Sequence, residues 1–209
     1  MPRIRAENIQ AHKEQTRSDL LASAAAQFAR YGYHDTALAD IAADVGVGRT
    51  TVYEYFADKE AVLVTLVEET LPPVVDSIVD SISPDLSARA QLEKLVRGHL
   101  EFIADDANVA VLIMREAPKL SAEAQASIRN SHGRLEQAIL AACKKGARVD
   151  EFGDISPTQA AELVNTVVMW GARLLLRRDR PKAALNGVVA TVLEFLFNGL
   201  GATSGASHK

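Results

Sequence analysis

Between Thr36 and Lys59, in the stretch TALADIAADVGVGRTTVYEYFADK, the chain sets hydroxyls, phenols and cations at short intervals: Thr36, Arg49, Thr50, Thr51, Tyr53, Tyr55 and Lys59. Such groups donate hydrogen bonds and carry positive charge, which suits contact with anionic oxygens and with the polar edges of flat heterocycles. They do not suit catalysis. No nucleophile motif, Gly-rich phosphate loop, Glu-x-x-His repeat or Cys/His cluster at metal-ligand spacing occurs in the chain, so no catalytic residue, metal or cofactor is expected.

Two short helical patterns must position these groups. Leu38, Ile41, Ala42 and Val45 fall at i, i+3, i+4 and i+7, Gly46-Val47-Gly48 cuts the pattern, and a second runs from Arg49 to Phe56. Neither buries much alone, so both need a third helix to pack on. That helix is predicted over Thr16 to Tyr31, with Leu21, Ala24, Ala25 and Phe28 recurring at helical spacing and Gly32 as a left-handed stop. At about 100° per residue, Val52 and Phe56 face the core, Thr50 and Glu54 point away, and Thr51 and Tyr53 flank them. A polar face beside a helix start suits phosphate and base-edge contacts in a DNA major groove. Glu54 repels phosphate but accepts a proton from a cytosine amine.

The segment DIAADVGVGRTTVYEYFADKEAVL resembles the recognition segment of tetracycline-repressor (TetR) family regulators, with its Ile-Ala, Gly-Val, Tyr-x-aromatic-Phe and Lys-Glu steps, and the match runs upstream through Phe28, Gly32, Tyr33 and Thr36. The resemblance implies a DNA-binding transcriptional regulator on a near-palindromic double-stranded operator; repression is the expected mode, with activation the open alternative. By that resemblance Tyr53 and Lys59 touch phosphates, Arg49, Thr50 and Thr51 lie where base or backbone contacts are made, Tyr55 flanks the backbone, and Thr36 joins the set. The plainer readings stand beside these: Tyr53 and Tyr55 wedge the third helix against its neighbours, and Lys59 balances Glu60 or Asp58. Three departures weaken the caps or alter the reading face: Gly48 and Ala37 stand where Ser or Thr is usual, and Thr50 where a smaller residue is.

Asp58 is read as the N-cap of a fourth helix, which Pro72-Pro73 should end or kink. Further helices are predicted over 87–104, 108–116, 121–145, 157–177 and 181–200, with Gly146 as a glycine stop. The last two carry Leu163, Val167, Trp170 and Leu174, and Leu185, Val188, Val192 and Phe195, at near-heptad spacing. Faces this broad exceed what one small domain covers, and pairing with a symmetry mate as a four-helix bundle covers them. TetR-family regulators dimerise through this pair, so Leu163, Val167, Leu174, Leu185, Val188, Val192 and Phe195 are the expected homodimer seam. A small, largely apolar effector is expected among Phe102, Ile103, Leu112, Met114, Met169 and Trp170, with His99, Arg115, Glu116 and Asn165 as polar contacts. Cys143 reads as a small buried hydrophobe.

The whole is an all-α chain in four parts. A flexible basic arm covers 1–15 and a three-helix helix-turn-helix domain 16–60. A larger helical ligand-binding and dimerisation domain covers 61–200, and a flexible tail 201–209. Of 209 residues 48% are hydrophobic, enough for a substantial core, and the net charge of −4 confines any nucleic-acid site to a local basic patch. One cysteine and no signal-like start point to a reducing, cytoplasmic setting, and the longest apolar run, Val188 to Leu200, is too short to span a membrane. Two rivals share this frame: a helical adaptor of the same fold without DNA affinity, and a helical-bundle enzyme.

Overall fold

Left-handed glycines, polar caps and prolines at first-turn positions cut the chain into helices, as seen in a computed structural model that describes residues 2–201, with side chains from Ile9 onward. Among these residues the chain is helical throughout, with no strand: α1 (Pro2–Tyr31), α2 (Leu38–Val45), α3 (Arg49–Val52), α4 (Lys59–Asp80), α5 (Ala88–Asp105), α6 (Ala107–Glu116), a 3-10 turn (Ala117–Lys119), α7 (Ala122–Arg148), α8 (Pro157–Leu176) and α9 (Pro181–Gly199). Gly32 and Gly46 take φ of +91° and +77°, a region that glycine enters without the Cβ penalty, and so end α1 and α2. Ser87, Ser121 and Ser156 cap α5, α7 and α8 by accepting the N–H three residues on.

Four expectations are corrected here. α1 starts at Pro2 rather than Thr16, so the backbone of the expected flexible arm is helical as far as it is described; the exposed side-chain pairs Gln10–Glu14 and Gln15–Asp19, each four residues apart, brace it without an apolar face. The regular part of α3 is four residues long, and hydrogen-bonded turns carry the chain on to Phe56. Pro72 and Pro73 lie inside α4 and do not end it, because Val67, Leu71 and Val75 are buried on both sides of the step. Gly146 is interior to α7. The phenyl ring of Phe152 occupies the space a Cβ would fill, 2.2 Å from that position, and the left-handed residue after the helix is Asp150 at φ +52°. The expected tail lies, beyond Gly201, outside the described residues.

The chain forms two compact units. The first comprises residues 1–70 with 108–129, and the second 71–107 with 130–209. The first holds α1 to α3, the first half of α4, nearly all of α6 and the start of α7 around Leu20, Phe28, Ile41, Val52, Phe56 and Leu63, each at most 3% exposed. In the second, α5, α8 and α9 pack on one another. There a Cβ on Gly171 of α8 would stand 2.6 Å from Val192 of α9, so only glycine permits so close an approach.

Candidate nucleic-acid interface

The hydroxyl and cation cluster of the sequence is built on α2, the Gly46–Gly48 turn and α3. Leu38, Ile41 and Ala42 bury one face of α2, and Val52 (0% exposed) and Phe56 (3%) anchor the segment after the turn. Ala37, at the extended N-cap of α2, offers no side-chain acceptor; Asp40 instead accepts the Ala37 N–H at 3.2 Å. With Val52 and Phe56 inward, Arg49, Thr50, Tyr53 and Glu54 are exposed, and Thr51 and Tyr55 are partly so. Tyr53 is 51% exposed, which leaves half of its surface open to an outward contact.

Two expected contacts sit elsewhere. Thr36 is 2% exposed and its hydroxyl donates to the Gly32 carbonyl at 2.9 Å, which removes it from the outer surface. The Lys59 ammonium donates to the carbonyls of Tyr33 (2.5 Å), Thr36 (2.9 Å) and His34 (3.2 Å) and sits over the Tyr33 ring at 4.6 Å. An ammonium has three N–H donors, so Lys59 clamps the α1–α2 loop and has none left for a phosphate in this conformation. The Tyr33 phenol is pushed up to about 12 by burial and by the carboxylates of Glu60, Asp58 and Glu116, and stays neutral near pH 7.

Sequence reasoning missed the ties between this head and α6 and α7. The Glu116 carboxylate, 5% exposed, accepts from His34 Nε2 at 3.0 Å and from Lys119 at 3.1 Å, which takes it out of the expected effector contacts. Glu60 accepts the Ser121 N–H at 3.0 Å, and Glu68 bonds the Ser127 hydroxyl. Arg17 is paired with Glu69 and lies 5.9 Å from the centre of the Phe56 ring. Only the acidic residues at the start of α4 hinted at any of this.

The expected effector residues divide between the units: Leu112, Met114 and Arg115 belong to the first, and His99, Phe102, Ile103, Asn165, Met169 and Trp170 to the second. Ile103 (4%) and Leu112 (8%) are core, Phe102, Met114, Asn165 and Met169 are partly buried, and Arg115 is exposed. His99 is pushed down to about 4 by desolvation and by His132, whose ring centre is 6.4 Å away, so it is neutral near pH 7. Burial pushes the Cys143 thiol up to about 11, which fits a packing role.

The expected seam also divides. Val192 (0%), Val167 (7%) and Val188 (7%) lie in the second unit's own core, because the close α8–α9 approach covers them. Phe195 (60%) and Trp170 (43%) are exposed, while Leu163, Leu174 and Leu185 are partly buried. At about 100° per residue Leu163, Thr166, Trp170 and Leu174 form one stripe. The hydroxyls of Thr166 and Thr191 donate to carbonyls of their own helices at 2.8 and 3.0 Å, which makes these faces less polar than the sequence suggests.

Among the described residues no helix is long and apolar enough to cross a membrane, and no group of three or more His, Cys, Asp or Glu could hold a metal ion. Residues 20–66 match the family described as bacterial regulatory proteins, tetR family, and residues 85–173 match the tetracyclin repressor-like C-terminal domain. Over 100 residues, 48% of its length, the chain is 28% identical to a fatty acid metabolism regulator protein of Bacillus subtilis; the match spans only 52% of that protein. Over 190 residues, 90% of this chain and 84% of the relative, it is 22% identical to the HTH-type transcriptional activator FasR of Mycolicibacterium smegmatis. The fold is shared with the crystal structure of the transcriptional regulator FadR from Bacillus subtilis in complex with stearoyl-CoA, at a TM-score of 0.71 and 19% identity over 84% of this chain and 97% of that one.

Proposed function

We propose, from the premise that this chain belongs to the tetR family of bacterial regulatory proteins and is a transcriptional regulator, that it is a homodimeric repressor released from a near-palindromic operator by a largely apolar effector. The observation that carries this reading is the orientation of α3. Val52 and Phe56 hold it so that Arg49, Thr50 and Tyr53 face outward beside the helix start, with Thr51 and Tyr55 at the edges. In this reading α3 enters the major groove, and two copies read half-sites about 34–36 Å apart. The exposed Trp170 and Phe195, with the stripe of Leu163 and Leu174, are the seam that holds the two heads at that spacing.

For the effector we propose a long-chain acyl thioester. The stearoyl-CoA held by the structurally similar regulator and the fatty-acid role in the name of the Bacillus subtilis relative support that class. Phe102, Ile103 and Met169 receive the acyl chain, and the neutral His99 imidazole offers one polar contact without the penalty of a buried charge. By linkage the effector weakens DNA binding only as far as it prefers the non-binding conformation, on the order of 5–150-fold. Glu116 and Glu60 tie α6 and α7 to the α1–α2 loop and α4, and these ties carry the change to the reading head.

The test is a gel-shift titration of the full chain against the DNA flanking its own gene, repeated with stearoyl-CoA. Retardation at nanomolar protein that acyl-CoA reverses is the expected result. If no flanking fragment is retarded and no sequence is enriched from a random pool, the DNA reading fails. Retention unaffected by acyl-CoA overturns the effector class alone.

A further inference from the structure

A groove lies beside α3, between the end of that segment and α1. Ile9, His12 and Lys13 of α1, Val47 of the turn, Thr51 of α3 and Tyr55 just beyond it line this groove of about 510 Å³. Its surface is mostly apolar, from the side chains of Ile9 and Val47 and the Tyr55 ring, with His12, Lys13 and Thr51 supplying a few hydrogen-bond donors. The remaining lining residue, Thr16, is 8% exposed, and its hydroxyl already donates to the His12 carbonyl at 2.9 Å. The deoxyribose-phosphate chain has the matching character, an apolar sugar edge followed by an anionic phosphate.

The charges around the groove are sorted to the same end. Ile9, His12, Lys13 and Thr16 share one face of α1, while Glu14 lies nearly opposite at about 100° per residue and is bonded by Gln10. Asp19 is bonded by Gln15, and Arg17 is paired with Glu69. Lys13 is exposed and makes no hydrogen bond or ion pair among the described residues, so its ammonium is available.

We propose that this groove is a second DNA-backbone site, in which Lys13 holds a phosphate at the edge of the half-site, Ile9 and Val47 support the sugar, and Thr51 joins the site to the α3 reading surface. The proposal rests on the DNA-binding reading given above. It assigns to Lys13 the phosphate contact that the sequence had suggested for Lys59, and gives the helical extension of α1 a task.

The experiment measures operator affinity against salt for the full-length chain and for Lys13→Ala, Lys13→Arg and Thr50→Ala, each checked for an unchanged melting temperature. Each lost phosphate contact lowers the salt slope of log affinity by about 0.9. Lys13→Ala is expected to lose about that much per subunit with its sequence preference intact, and Lys13→Arg is expected to restore the slope. Thr50→Ala, which removes no charge and stands outside the groove, should keep the wild-type slope while its affinity and sequence preference change. A wild-type slope in Lys13→Ala overturns the proposal while leaving DNA binding in place. If the wild-type chain binds no DNA at all, the functional reading fails and this site with it. An unchanged slope together with weakened binding of oleate by Lys13→Ala also overturns the proposal, by showing that the groove takes a free amphiphile.

Discussion

The ammonium of Lys59 meets the carbonyls of Tyr33, His34 and Thr36, so its removal strands three oxygens at the α1–α2 loop. Lys59→Met is expected to lower stability by about 2–3 kcal/mol, read by urea melting, with an unchanged salt slope for DNA. A reduced slope at full stability would return Lys59 to the phosphate. His99 offers a pH test. Burial and His132 push it down to about 4 in the folded chain against an ordinary 6.5, so between those values the unfolded chain binds the extra proton. Its contribution is complete above about pH 6.5 and is lost as pH falls toward 4, by at most about 3 kcal/mol. His99→Gln should flatten stability over that window, and an unaltered pH profile would show that the imidazole is solvated. The helical period was enough to send Val52 inward and Thr50 outward, because each lies well within one face. The resemblance, by contrast, set Thr36 and Lys59 among the DNA contacts, whereas their partners are backbone carbonyls, and a residue pattern carries no record of those.

At the scale of elements, caps and hydrophobic periods were the readable signals, and α5 to α9 begin and end within a few residues of where Ser87, Glu116, Ser121, Pro157 and Pro181 imply. The start of α1 was not readable in this way, since the sequence before Thr16 has no apolar stripe; the Gln10–Glu14 and Gln15–Asp19 pairs brace the helix further on. Nor could periodicity separate the two apolar stripes of α8, where Val164, Val168 and Leu175 are core and Trp170 is exposed. The extended Ala37, at φ −102° and ψ 151°, already has the backbone of a good N-cap without the oxygen. Ala37→Ser should stabilise the chain by about 1 kcal/mol through a bond to the first turn of α2, seen as a higher melting temperature. The carboxylate of Asp40 accepts the residue-37 N–H and does not compete with that bond, so a lower melting temperature would mean that the serine hydroxyl does not reach the first turn.

For the whole molecule, the seam residues give opposite predictions according to burial. Trp170→Arg or Phe195→Asp should dissociate the proposed dimer in sedimentation velocity while leaving helicity intact, since both side chains are exposed in the single chain. Val192→Glu should unfold the second unit, because its 0% exposure leaves a carboxylate no water. Val167→Glu belongs with the second case. A chain that remains dimeric with Trp170→Arg places the seam elsewhere. The proline pair in α4 has a calorimetric consequence. Thr70 closes the first unit and Leu71 opens the second, and at this join Pro72 and Pro73 withhold the two amides that would bond the carbonyls of Glu68 and Glu69. The ladder that makes a helix melt as one body is therefore interrupted in α4 where the chain passes from the first unit to the second, whereas α7 passes from one to the other unbroken. Heating should give two endotherms rather than one, with DNA displacing the first unit's peak and acyl-CoA the second's. The displacement each ligand causes in the other's peak then measures the coupling free energy without an operator titration.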